Sequence, residues 1–177
     1  MKLDVRKFFP SIDHEILKGL LRKKIKDVEL LMLLDEIIES VDKGVPIGNY
    51  LSQYFGNFYL TYFDHWMKEV RKAKCYFRYM DDIVILHNSK KYLHRLLKLI
   101  KLYFKVKLKL VVKNNYQVFP TYIRGVDFLG YRSFGSYTLL RKSTCKRFKK
   151  EMKKLRNSRV LTQRGFNSLN SYKGRLS

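Results

Sequence analysis

Cysteine is nearly absent: Cys75 and Cys145 are the only two in 177 residues, and neither stands in CxxC or CxxH spacing. That excludes a disulfide framework and a zinc site built on cysteine pairs, and the expectation is two reduced thiols, with Cys75 in a core strand. Acids are scarce as well, with 15 Asp and Glu against 38 Lys and Arg, a net charge of +23. Solubility does not require so large an excess, and a surface of this kind has a polyanion as its natural partner. No uninterrupted apolar run approaches the roughly 18 residues of a membrane span, and no charged-then-apolar leader precedes a small-residue cleavage site. The reading is a soluble cytoplasmic protein without a membrane partner. No internal repeat and no low-complexity linker interrupts the chain.

What is present suffices for one core: 46% of residues are hydrophobic and 15% aromatic. Residues 1–5 read as a strand stub. After Pro10 and Ser11, Ile16, Leu17, Leu20, Leu21 and Ile25 recur at helical spacing, with Ser11 as a candidate cap. A second helix is expected over 28–41, a Gly/Pro/Asn loop over 42–49 and a long aromatic-rich helix over 50–72. Strands over 74–79 and 83–87 around a tight turn at 80–82 read as a hairpin. A helix then opens at Ser89, and alternation from Lys105 (Val106, Leu108, Leu110, Val112) predicts a half-buried strand with a basic outer face. A glycine-punctuated hairpin over 124–141, a basic helix and a polar end complete an α+β chain.

The stretch CYFRYMDDIVILHN sets Asp81 and Asp82 between two runs of strand formers. Burying a carboxylate costs several kcal/mol unless it is paired or bound to metal. A tight turn lifts both acids to the tip of a rigid hairpin, and a divalent ion removes their mutual repulsion. Mg²⁺ suits such a pair, because it takes hard oxygen ligands and keeps several waters. A bare pair of acids is most often a solvated turn, but here aromatic and β-branched residues enclose it in an acid-poor chain. Asp4, in KLDVRKFFPSIDH, adds a third carboxylate on a strand, where propensity and burial both disfavour it. Three carboxylates are enough to hold two ions about 3.5–4 Å apart for phosphoryl or nucleotidyl displacement.

These residues resemble a known family. LDVRKFFPSIDH is similar to motif A of reverse transcriptases, GVPIGNYLSQYFGNFYL to motif B, FRYMDDIVIL to motif C and GVDFLGYR to the primer-grip motif, in the family's order. Most retron and group II intron enzymes carry Gln-Gly-x-x-x-Ser-Pro in motif B. The Ile47-Gly48-x-x-x-Ser52-Gln53 of this chain is instead similar to the reverse transcriptases of diversity-generating retroelements.

The resemblance implies a polymerase palm whose antiparallel sheet, with its catalytic hairpin, is backed by helices over residues 1–141. A basic segment, the start of a thumb or a tail, would follow over 142–177. It makes Asp4, Asp81 and Asp82 the catalytic metal ligands with the carbonyl of Val5, for Mg²⁺ or alternatively Mn²⁺. Phe9 would be the aromatic gate that rejects a 2′-hydroxyl. Ile47, Gly48, Ser52 and Gln53 would line the nucleotide, Ile47 removing a hydrogen-bonding side chain in a way that fits relaxed fidelity. Lys113 is the candidate motif D lysine, with a solvated basic strand as its competing reading. Tyr79, Met80, Phe128, Leu129, Gly130 and Tyr131 would meet the primer, and Lys146 and Lys150 phosphates of the duplex. The implied partners are an RNA template, a DNA primer and deoxynucleoside triphosphates, with a basic accessory protein of the retroelement.

Only three residues precede Asp4, where family members carry a fingers region. The expectation is therefore a palm with the start of a thumb, from a truncated product or an internal start. Two other readings compete: a non-catalytic nucleic-acid-binding remnant, and an RNA-dependent RNA polymerase palm, whose hairpin usually reads Gly-Asp-Asp. A structural basic protein would account for the charge but not for three acids in apolar strands.

Overall fold

Alternation decides the first strand: Met1, Leu3 and Val5 are buried while Lys2 and Asp4 are not, so β1 (Lys2–Asp4) turns one face to the core. The computed structural model describes residues 1–157 together with 163, 166, 167 and 170. It divides the chain into two compact units, Met1–Phe119 and Pro120–Ser177. The architecture is mixed helix and antiparallel sheet, an α+β fold. Among the described residues, no helix is long and apolar enough to cross a membrane.

In the first unit β1 joins the hairpin β2 (Cys75–Tyr79) and β3 (Asp82–Leu86) in the order β1-β3-β2, all antiparallel. Four helices cover the core face: α1 (His14–Lys24), α2 (Val28–Glu39), α3 (Tyr50–Tyr59) and α5 (Lys90–Lys107). Their buried stripes, such as Leu17, Leu20 and Leu21 of α1 and Leu96, Ile100 and Phe104 of α5, meet Leu3, Val5, Ile83 and Ile85 of the sheet. Burial of each such side chain stabilises the fold by about 1.5–3 kcal/mol.

Several local features differ from the sequence reading. Ser11 lies in a 3₁₀ turn (Phe9–Ser11), and the cap of α1 is Asp13, whose carboxylate accepts from the Ile16 N–H at 3.1 Å. The long helix expected over 50–72 breaks at Leu60, giving α3, a short α4 (Thr61–His65) and a π-helical turn (Trp66–Val70). The strand expected from Lys105 starts later, because the helical stripe through Phe104 carries α5 to Lys107 and leaves Val106 exposed. Only residues 111–117 run beside β1, through bonds from Arg6 N–H to the Val111 carbonyl and from Lys113 N–H to the Asp4 carbonyl, both 2.8 Å. Cys75 sits in a strand as expected but on its open face, not in the core.

The loop before α3 is seated on the 3₁₀ turn. Val45 N–H donates to the Phe9 carbonyl at 3.1 Å, and His14 Nε2–H donates to the Gly44 carbonyl. Gly44 has φ +77°, and a Cβ there would fall 2.4 Å from the Phe9 oxygen and 2.6 Å from Pro10 Cα. Both obstacles are backbone and cannot swing away. Gly44→Ala is therefore expected to destabilise the unit by more than about 2 kcal/mol, read as a lower urea midpoint; an unchanged midpoint would contradict this packing.

In the second unit, α6 (Thr121–Arg124) leads to a meander of β4 (Val126–Phe128), β5 (Tyr131–Ser133) and β6 (Thr138–Leu140), then α7 (Lys142–Asn157). The expected hairpin thus gains a third strand. The expected polar end lies largely outside the described residues.

Candidate active site

Register and parity gather the acids. β1 pairs Asp4 with Asp82 and Lys2 with Val84, while β2 pairs Tyr79 with Asp82 and Phe77 with Val84. Since Leu3 and Ile83 face the core, the row Asp4–Asp82–Tyr79 lies on the opposite face, with Lys2–Val84–Phe77 as the next row. Phe77 and Tyr79 are 51% and 55% exposed. The chain reverses in two residues, Met80 and Asp81, so Asp81 projects from the turn itself beside Asp82.

The electrostatics centre on Asp4. Its Oδ2 forms an ion pair with Lys113 Nζ, and its Oδ1 is buried with no hydrogen-bond partner. Burial first, then contact with the Asp4 carboxylate and the charges of Asp4 and Asp82, push the Asp81 carboxyl up to about 6. Lys113 is part-exposed and paired: its hydrogen bond to Asp4 raises its ammonium above the usual lysine range.

Facing acceptors with an orphaned oxygen suit a hard divalent cation such as Mg²⁺ or Mn²⁺. Among the described residues no three His, Cys, Asp or Glu side chains gather around one point; Asp82 Oδ2 instead lies 3.3 Å from Lys2 Nζ. Asp4 and Asp81 would be the side chains to hold such an ion, while Asp82 is paired with Lys2. Val5 is fully buried and bridged to Val112, but the two backbone bonds flanking that bridge use the Asp4 and Val111 carbonyls. The Val5 carbonyl takes no part in them.

The rings of Phe8 and Phe9 meet 5.3 Å apart. Phe8 belongs to the core, and Phe9 is half-buried against it. Both lean on α3 at Gly56, where a Cβ would stand 3.0 Å from each ring, so a residue without a side chain is what lets them seat there. In the motif B segment Ile47 is 79% exposed, and Gly48 adopts φ +93° in open space. Ser52 is turned inward, donating its hydroxyl to the Pro46 carbonyl, whereas Gln53 is exposed. Of that pair Gln53 is the one open to a ligand.

The remaining predicted residues belong to the second unit. Leu129 (φ +52°) and Gly130 (φ +88°) form the two-residue turn closed by the pair Phe128–Tyr131. Lys146 and Lys150 are exposed one turn apart on α7, which carries eight Lys and Arg against one Glu.

Sequence reasoning missed Lys2, the partner of Asp82, and Arg78, whose guanidinium pairs with Asp64. The period-two spacing of Lys2 and Asp4 was a usable signal for the first. Nothing in the order of residues pointed from Arg78 to Asp64, because that contact spans two helices and a strand.

No curated protein matches the chain. The family model described as reverse transcriptase (RNA-dependent DNA polymerase) matches residues 1–133, a span that includes Asp4, Phe9, the motif B segment and the hairpin. The chain belongs to the reverse transcriptase family.

Proposed function

We propose that this protein is an RNA-directed DNA polymerase that binds Mg²⁺, with Mn²⁺ as an alternative, and extends a DNA primer on an RNA template with deoxynucleoside triphosphates. The observation that carries the reading is the facing of Asp4 and Asp81 around a buried oxygen that lacks a partner, within a chain of this family. Bound there, a divalent ion supplies charge neutralisation for phosphates and activates an oxygen nucleophile. The chain's own residues do the rest. Asp4, Asp81 and Asp82 hold the ion's position, and Tyr79, exposed beside Asp82, meets the primer terminus. Phe9, seated on Gly56, presents an apolar edge that leaves a 2′-hydroxyl without a hydrogen-bond partner. Lys113, adjacent to the acids, is placed to meet phosphate when it leaves Asp4.

In this reading residues 1–141 form the palm and 142–177 the start of a thumb or a tail, with α7 following the phosphates of the duplex. The pattern Ile47-Gly48-x-x-x-Ser52-Gln53 supports the diversity-generating subgroup, and with it a basic accessory protein as a partner.

The test is primer extension by the purified protein on an RNA template with Mg²⁺. Extension with deoxynucleotides is expected, and Phe9→Ala is expected to raise ribonucleotide incorporation about 10–100-fold, with a lower melting temperature because the ring also packs against Phe8 and the core. Equal use of ribo- and deoxynucleotides by the unaltered protein would point to an RNA-synthesising palm. Salt-sensitive RNA binding without extension, indifferent to Asp4→Ala and to Mg²⁺, would point to a non-catalytic remnant.

A further inference from the structure

The turn bearing Asp81 has an unusual backbone: Met80 adopts φ +52°, a left-handed conformation that a non-glycine residue holds only when its surroundings enforce it. One side chain supplies that enforcement. Arg78 lies on the face of β2 opposite Tyr79, and its Nη1 donates to the Met80 carbonyl at 3.0 Å and to Asn57 Oδ1 of α3 at 3.1 Å. Its Nε donates to Asp64 Oδ1 of α4 at 2.8 Å, and its Nη2 to Asp64 Oδ2. Four of the five guanidinium N–H groups are thus committed in one plane. Asp64 is fixed in turn by the Tyr76 hydroxyl, which donates to Oδ1 at 2.6 Å.

We propose that Arg78 is a positioning residue for the two aspartates: it ties the Met80 carbonyl to α3 and α4 and so sets where Asp81 and Asp82 project. The inference rests on the polymerase reading for its catalytic consequence, not for the clamp itself. Lysine at 78 would keep the charge opposite Asp64, but a single ammonium cannot grip Asp64 in two-point fashion and reach Met80 and Asn57 together. The break at Leu60 gains a role here, because it separates α3, which carries Asn57, from α4, which carries Asp64. A residue that orients a metal ligand without touching the metal is typically worth about 10–100-fold in metal affinity or activity.

The experiment compares wild type with Arg78→Lys in three measurements: amide hydrogen exchange, Mn²⁺ affinity by electron paramagnetic resonance, and primer extension. Exchange at residues 80–82 is expected to quicken about tenfold or more with that of α5 unchanged. Mn²⁺ affinity and kcat are expected to fall about 10–100-fold, with KM for primer–template within about twofold of wild type. Wild-type exchange in the turn together with wild-type Mn²⁺ affinity would overturn the proposal. If Arg78→Lys does not melt cooperatively, Asn57→Ala decides: Asn57 is exposed, its loss frees one anchor of Nη1, and unchanged exchange in the turn overturns the clamp. Full primer extension by Asp81→Asn would overturn the polymerase reading instead, and the exchange measurement would still decide the role of Arg78.

Discussion

Asp81→Asn is expected to abolish primer extension, by about 10³-fold or more, while making the metal-free protein more stable at neutral pH. The loss follows from removing one of the two carboxylates that face each other at the hairpin; forfeiting about 4 kcal/mol of charge stabilisation corresponds to that factor. The gain follows from linkage. Burial and the neighbouring acids raise the Asp81 carboxyl to about 6 in the folded state, against 3.8 for an unperturbed side chain. The folded protein therefore holds that proton more tightly than the unfolded chain does. The resulting stability is fully present below about pH 4 and is lost as pH rises through about 6. At pH 7.5 the ionised carboxylate costs the metal-free fold about 1–2 kcal/mol once solvent screening of a half-buried group is allowed for. Asparagine removes that cost. Millimolar Mg²⁺ or Mn²⁺ should raise the melting temperature of wild type and leave that of the variant unmoved, since only the former binds the ion. A variant that melts below wild type at pH 7.5 without metal, or that still extends primer, would contradict this account of the site.

The second large effect concerns salt. Eight basic residues against one acid on α7, in a chain of net charge +23, should make duplex binding a matter of counterion release. With about six phosphates neutralised, raising salt from 50 to 200 mM is expected to weaken binding about 10³-fold, whatever the nucleotide sequence. Replacing Lys146 and Lys150 together by Gln should flatten the logarithmic salt slope by about 1.5, measured by fluorescence anisotropy of a labelled RNA–DNA hybrid. A slope equal to that of wild type would remove these two lysines from the phosphate-contacting surface.

In the proposed site, stability and function pull in opposite directions for the same reason. A chain this poor in acids uses several of them structurally: Asp13, Asp27 and Asp64 cap helices or anchor Arg78. Asp4 and Asp81 do neither, and they are set against each other at a cost in charge repulsion that a bound cation would offset.

Much of this was legible from residue order alone. The hairpin followed from two strand-forming runs around a short acidic turn, and residues 1–5 read as a strand, whose faces the burial of Met1, Leu3 and Val5 then assigned. The amphipathic stripes of α1 and α5 were equally plain, because local periodicity is read within a few turns. Charge alone called for a polyanion. What residue order did not decide is which side chains meet across the fold. The Lys113–Asp4 pair spans 109 positions and the Lys2–Asp82 pair 80; both exist only because residues 111–117 and β3 flank β1 in one register. Ser52 is polar and adjoins a loop, yet packing turns it inward to Pro46. Where alternation and helical spacing overlapped, near Phe104 to Leu108, tertiary burial of Phe104 favoured the helix. Composition and period determined the elements and the acids of this protein; the register of three strands and the packing of α3 and α4 beneath them decided how those acids are held, because pairing and burial energies arise only between segments that the chain has first brought together.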